Sequence, residues 1–526
     1  MAPPPDTYTM DAHAAAVSSL AAQVAAFHAQ KVPFRCYHGS TTSTRKVRYQ
    51  PSTSLDLSPL SHILSIDQAG RTALVEPSVS MSALVTAALP YNLVPAVVPE
   101  FTTITVGGCF AGSGGESSSF RHGVFDDTVE SIEMILGDGS VTRASKVENP
   151  DLLRGAAGSY GSLGVLTLLE VRLVPSRAFV EVCYLPVRGP WEAVREVERV
   201  TDEAWDFCDA VLYGEGRGVV MAGRWADQSG GQVTTFTRKG DEWFYMHAEK
   251  VLEGSMKEDD GATGRQDSTS TAGDLEKGVA RAHTELIPTY DYLFRWDRSC
   301  FWMGAHALDY FYVHNTKFAR WLGDSLLRPG KMMHAMQTSS MANQYVIQDI
   351  SVPYAYVSSF VDHIQKEVGI YPLWLCPLLL KNQWPLKPRD PTIPERIMNI
   401  GMWGQGSKKL EKFVQQNRDL EKKTRELHGL KCLYAQSYYT EDEFWKVYDK
   451  EAYDALRVRY RAETLPSVYD KVCKNSATEE LEKRRTSKSE RVKGYAKDFW
   501  ICRGLYGAAS SMMGREYLMQ TTATRA

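Results

Sequence analysis

Apolar positions in this chain repeat with two periods, and the switches between them mark its elements. Residues 10–29 are Ala-rich, and Val17, Leu20, Ala21, Val24 and Phe27 recur at the spacing of one helical face. The spacing predicts a helix packed on the domain that follows. Short apolar runs then predict strands over 71–76 and 165–174. Between them, residues 128–144 read as two strands joined by Gly137-Asp138-Gly139, since Asp-Gly between alternating apolar positions is a strong hairpin signal. A strand over 181–187 and a helix over 191–200 follow. Residues 256–274 are polar, small and free of aromatics, which predicts a disordered insert. Residues 288–315 are dense in Tyr, Phe and Trp, a composition suited to a core or, in part, to the wall of an apolar pocket.

The loops between these runs carry the candidate chemistry. Residues 98–119, VPEFTTITVGGCFAGSGGESSS, combine five glycines with Ser and Thr hydroxyls and contain no Lys or Arg. Glycine lets backbone N–H groups approach a ligand closely, and hydroxyls donate to phosphate oxygens without bringing charge. Thr105, Val106, Gly107, Gly108, Gly112, Ser113, Gly114, Glu116, Ser117 and Ser118 are therefore expected to cradle a nucleotide, with a pyrophosphate over Gly107, Gly108 and Gly112. In residues 149–175, Gly158, Gly161 and Gly164 recur every three residues up to Val165 and are expected to close the other side. A second hydroxyl-rich loop, CYHGSTTSTR, adds His38, Gly39 and Ser40.

Composition narrows the function classes. With 526 residues, 43% apolar and 23% charged, the chain is ordinary globular protein with more than one core. A net charge of −3 gives no reason to invoke nucleic acid. Nine scattered cysteines without a Cys-x-x-Cys pair read as reduced thiols in a cytosolic-facing protein, neither a disulfide framework nor a zinc site. The sequence shows no run long enough to span a bilayer and no signal-peptide pattern. Residues 483–497 carry seven basic side chains against one acidic, and an apolar stretch follows over 499–513. That order suits an interfacial anchor as well as it suits a solvated helix leading into a docked terminus. The expected division is a cofactor domain over 1–178, a substrate or cap domain over 179–470 and a tail over 471–526.

Together, Glu76-Pro77, Thr105 to Gly108, Gly112 to Ser119, the Gly-Asp-Gly hairpin and Gly158 to Gly164 resemble the FAD domain of vanillyl-alcohol-oxidase (PCMH) type flavoproteins. The segments VIQDISVPYAYV, YPLWLCPLLL, MNIGMWGQG, LYAQSYYTEDEFWKVYD and LPSVYDKVCK extend the resemblance along the chain. They are similar to the delta-24-sterol reductase (Diminuto/seladin) family. The resemblance implies an α+β, two-domain fold, bound FAD, NADPH as electron donor and reduction of a sterol side-chain alkene. Many members carry an N-terminal membrane anchor, which is not seen in this sequence, so a peripheral place on the cytosolic face of the endoplasmic reticulum, or a cytoplasmic one, is expected. The positions after Gly39 contain no His for covalent flavin attachment, and Gly112 to Ser117 fails the Gly-x-Gly-x-x-Gly pattern at its last position. Non-covalent FAD is expected, and the sequence does not place NADPH.

An isolated alkene is a poor electrophile, so its reduction by hydride needs a proton source and apolar walls. Tyr434 and Tyr438, in a strand-like LYAQSYY, offer an acid and an aromatic face, and Glu100 is a competing acid if burial raises its pKa. The FAD domain alone fits equally an oxidase of a sugar, lactone or alcohol, or a flavin-binding scaffold without turnover.

Overall fold

The computed structural model describes residues 9–39, 43–45, 49–227, 231–263, 283–339, 341–381, 386, 393–473, 476–487, 500–513 and 518. The hairpin forms where Gly-Asp-Gly requires it: strands Val129–Ile135 and Val141–Ser145 pair antiparallel with Ile135 opposite Val141. Asp138 closes the turn by accepting from the Ser140 N–H at 3.0 Å. Gly139 has φ +91°, and a Cβ there would lie 2.8 Å from the Ala21 carbonyl oxygen of the helix crossing above. Only glycine satisfies both the turn and that approach.

The crossing helix is Met10–Ala29, capped by the Thr9 side chain. Val17, Leu20 and Val24 are buried in one core with Leu55, Ile135 and Val165. His13, on the same face, lies 2.7 Å from Glu76 and 3.2 Å from Glu133. Burial alone would lower its pKa; hydrogen bonds to Glu133 and Glu76 outweigh this and raise it to about 9. The strands beneath run in the spatial order Ile63–Asp67, Thr72–Val75, Val165–Pro175, Val129–Ile135 and Val141–Ser145, and Leu93–Pro95 also pairs with Val165–Pro175.

From Phe179 a second sheet begins. Its eight strands lie in the order His283–Pro288, Phe179–Val187, Arg217–Ala226, Phe207–Gly214, Leu373–Leu379, Arg396–Gln405, Tyr345–Pro353 and Leu430–Lys431, each pair antiparallel. Side chains alternate between its faces. Leu373 and Leu375 join a core with helices Pro190–Asp202, Val357–Glu367 and Leu410–Glu426. Trp374 and Cys376 point the other way, into the core shared with the N-terminal sheet. The aromatic stretch 288–315 fills that core: Phe301 sits 3.8 Å from Trp403 between ring centroids and stacks on Trp296.

Three local expectations change. Helix Phe244–Thr263 takes in the first part of the expected insert, since MKEDD contains no helix breaker; the remainder lies outside the described residues. Residues 433–439 form a loop, not a strand. Residue 471, the expected start of the tail, lies inside helix Val468–Val472. That helix and the helices Glu441–Val447 and Lys450–Arg459 contribute to the same core as Met10–Ala29.

Candidate active site

A cavity of about 450 Å³ opens between the N-terminal sheet, the second sheet and the returning C-terminal segment. Its polar floor comes from the glycine-rich loops, and Phe101, Ile104, Trp374, Leu378, Ile397 and Leu433 are among its apolar walls.

Of the expected cofactor residues, His38, Thr105, Gly107, Gly108, Gly112, Ser113, Gly114, Gly158, Gly161 and Gly164 line this cavity. Gly39, Val106, Glu116, Ser117, Ser118 and Val165 are not among its lining residues, and Ser40 lies outside the described residues. Glu116 instead pairs with buried Arg295 at 3.1 Å, Ser118 donates to the Ala96 carbonyl, and Val106 and Val165 are core residues. Ser117 is fully buried against Glu116. The loop's later hydroxyls therefore hold structure, because the chain turns into the core after Gly115.

Glycines of the floor serve packing as well as ligand approach. The Gly107 N–H donates to the Pro77 carbonyl at 2.9 Å, and the Gly108 N–H to the Thr105 side chain at 3.1 Å. A Cβ on Gly107 would lie 2.6 Å from that of Pro77. Both amides are thus engaged within the protein.

The second sheet adds to Tyr434 an acid that the sequence did not single out, Asp349. Asp349 accepts from the Tyr434 hydroxyl at 2.5 Å and from the Asn399 amide at 2.9 Å, and the Trp403 indole reaches Tyr434 at 3.3 Å. A Cβ on Gly401, opposite Asp349 in the sheet, would lie 2.8 Å from its carboxyl oxygen. Burial raises the Asp349 pKa against the pull of these hydrogen bonds, and raises Tyr434 well above the usual phenol. Glu100 also lines the cavity; loss of water, with Glu116 and Asp349 nearby, raises it to about 8. Tyr438 is not a lining residue; its ring packs on Phe413 in the second core, so it is removed from this chemistry. None of the aromatics in 288–315 lines the cavity; they stand behind its wall. The signal for Asp349 was a carboxylate in a fully buried strand, which carries a desolvation cost unless it is bonded.

The cavity suits a bound dinucleotide. Arg45 Nε and His38 Nδ1 line it as buried polar atoms with no hydrogen-bond partner among the described residues. Such atoms are rare unless a ligand or water meets them.

Comparisons with known proteins agree with this geometry. The family model described as "FAD binding domain" matches residues 11–145, so this part of the chain is an FAD-binding domain. The chain is 30% identical over 446 residues to the Delta(24)-sterol reductase of Mus musculus, covering 82% of this chain and 80% of that one. It is 32% identical over 466 residues to the Delta(24)-sterol reductase of Pisum sativum, covering 81% and 77%. Similarity to FAD-linked oxidoreductase sorD of Penicillium rubens, at 35% identity, spans only 140 residues, 26% of this chain. The match to the reductases extends well beyond the FAD domain, across the strands that carry Asp349 and Asn399, and the chain belongs to the Delta(24)-sterol reductase family of FAD-binding proteins.

Proposed function

We propose that this protein is an FAD-dependent reductase of a carbon–carbon double bond in a sterol side chain, using NADPH as electron donor. The observation that carries the reading is one cavity combining glycine-rich loops of an FAD-binding domain, apolar walls and buried proton-holding groups. The oxidase alternative rests on the FAD domain alone, and these walls suit a sterol better than a polyol.

Bound FAD supplies the hydride. The chain supplies the proton and the surroundings. When Asp349 is protonated, its carboxyl donates to the Tyr434 oxygen and frees the tyrosine hydrogen for the alkene; Asn399 keeps the carboxyl turned toward Tyr434. Glu100, protonated at neutral pH, is the competing donor. Apolar walls exclude the water that would otherwise trap the carbon on which positive charge develops before the hydride arrives. Incubating purified protein with NADPH and a sterol alkene, followed by mass spectrometry, tests the reading: a product two mass units heavier supports it. Oxygen consumption with a polyol and no sterol product overturns it.

A sterol substrate also calls for a route to the bilayer. No helix among the described residues is long and apolar enough to cross a membrane. Peripheral contact, on the cytosolic face of the endoplasmic reticulum, fits the exposed side chains Tyr312, Phe318, Trp321 and Leu322 together with Leu505, Tyr506 and Met512 of helix Trp500–Met512. That helix packs on Pro329–Ser339, with Lys331 donating to the Ser511 carbonyl at 2.9 Å. Of the basic tail, 488–499 lie outside the described residues; Arg484 and Arg485 pair with Glu480 and Glu411. Replacing Phe318, Trp321 and Leu322 by serine should lower sedimentation with anionic vesicles while FAD stays bound; unchanged sedimentation at low salt removes this surface from the reading.

A further inference from the structure

Three cationic side chains line the cavity with no ion-pair partner among the described residues. Arg35 comes from the strand Arg35–Tyr37, Arg45 from the loop after it, and Lys471 from the helix Val468–Val472. Their hydrogen bonds go to neutral backbone oxygens. Arg35 donates to the Asp470 carbonyl at 3.2 Å and Arg45 to the Leu433 carbonyl. Lys471 donates to the Tyr160 and Gly161 carbonyls at 3.1 and 2.7 Å. The nearest carboxylate in sequence, Asp470, is turned to Ser467, whose N–H and hydroxyl it accepts at 3.1 and 2.8 Å.

Arg45 is 8% exposed, and its guanidinium carbon sits 4.8 Å over the Tyr160 ring. The Tyr160 hydroxyl in turn lies 3.7 Å from the point a Gly112 Cβ would occupy. Arg45 therefore faces the glycine floor across this tyrosine, whose carbonyl Lys471 bonds. Asp470 still attracts Arg35 at a distance, but three like charges held together with so little opposite charge beside them are costly to fold. They persist where a ligand brings the missing charge. The strain shows at Lys471: burial and the neighbouring Arg35, Arg457 and Arg45 bring its pKa down to about 8.

We propose that Arg35, Arg45 and Lys471 form a cationic subsite that holds the pyrophosphate of a dinucleotide in the cavity. A pyrophosphate diester carries two negative charges, and the amides of Gly107 and Gly108 are already engaged by Pro77 and Thr105. Side-chain cations thus replace the charge-free cradle that the sequence of residues 98–119 suggests. The inference rests on the FAD reading and favours FAD as the owner of the pyrophosphate; NADPH shares the same chemistry.

Fluorescence of flavin released from the purified holoprotein separates these cases, with Arg45→Met and Lys471→Met compared with wild type for FAD and riboflavin at low and high salt. Each substitution should weaken FAD about ten- to hundredfold, the range of one charge-assisted hydrogen bond, and flatten its salt dependence. Riboflavin, which has no phosphate, should bind the variants as it binds wild type. Arg45→Lys, which keeps the charge, should recover part of the FAD affinity and shows that packing alone is not the cause. If FAD and riboflavin are unaffected but half-maximal flavin bleaching needs about tenfold more NADPH, the subsite belongs to the NADPH pyrophosphate. Equal loss of FAD and riboflavin, or no change in either dinucleotide, overturns the proposal. Wild-type protein that retains no flavin would sink the FAD reading itself, before any variant is made, and the FAD assignment with it.

Discussion

Two sets of ionisable side chains share one cavity and are held in opposite ways. Asp349 on the second sheet and Tyr434 in the loop beside it form a bonded pair, each oxygen of the carboxyl with its own donor. Among the described residues, Arg35, Arg45 and Lys471 hydrogen-bond only neutral carbonyls. The first set is complete within the protein and suited to storing a proton; the second is incomplete and suited to binding an anion. A cavity divided this way predicts that chemistry and cofactor retention fail separately.

The largest expected effect lies on the acid side. Asp349→Asn and Tyr434→Phe should each slow alkene reduction by about a hundred- to ten-thousandfold, the usual contribution of a general acid, while FAD stays bound and NADPH bleaches it at the normal rate. Stopped-flow absorbance with and without sterol measures both halves; loss of bleaching in these variants would erase the division. Next in size is Gly107→Val, which should break both sets at once. Its added Cβ meets Pro77, displacing the floor they share, and colourless protein is the expected outcome. Yellow protein with full activity would show that the floor does not couple them.

Smaller is the pH effect of Glu100. Its pKa of about 8 means that the proton it holds at neutral pH is lost as pH rises through that value. If Glu100 shares the donor role, sterol turnover should fall roughly tenfold per pH unit above about 8, and Glu100→Gln should remove that limb. An unchanged profile in Glu100→Gln would leave the role to Asp349 and Tyr434. The least effect on the cavity comes from His13, which serves as a control outside both sets. Its folded pKa of about 9 exceeds the ordinary 6.5, so its contribution to stability is whole below pH 6.5 and is lost as pH rises to about 9. Thermal melts should lose on the order of 1–3 kcal/mol across that window, and His13→Gln should flatten the trend with FAD affinity unchanged.

Much of this architecture could be read from the sequence. The helix Met10–Ala29, the Gly-Asp-Gly hairpin and the strand from Val165 to Pro175 follow from local periodicity and turn chemistry, which act over a few residues. Glycine loops marked the cavity floor for the same reason. Asp349, Asn399, Arg45 and Lys471 were not singled out, because their meaning depends on distant partners: Asp349 on Tyr434, 85 residues on, and Arg45 on Leu433, 388 residues on. Glu116, Ser117 and Ser118 misled in the opposite direction. They share the composition of the cradle, but the chain has already turned into the core, toward Arg295. Tyr438 failed through period: two residues four apart share no face once the segment is a loop instead of a strand.

The contact between Arg35 and Asp470 spans 435 residues. As the chain emerges from the ribosome, its FAD-binding segment is made long before Lys471, so the nascent N-terminal half waits with its floor uncovered and one of its cations missing. Closure of the cavity is thus a late event of assembly. An isolated fragment ending near residue 178 should hold flavin weakly, however well its own sheet forms, and the full-length chain should gain stability from each cofactor it captures.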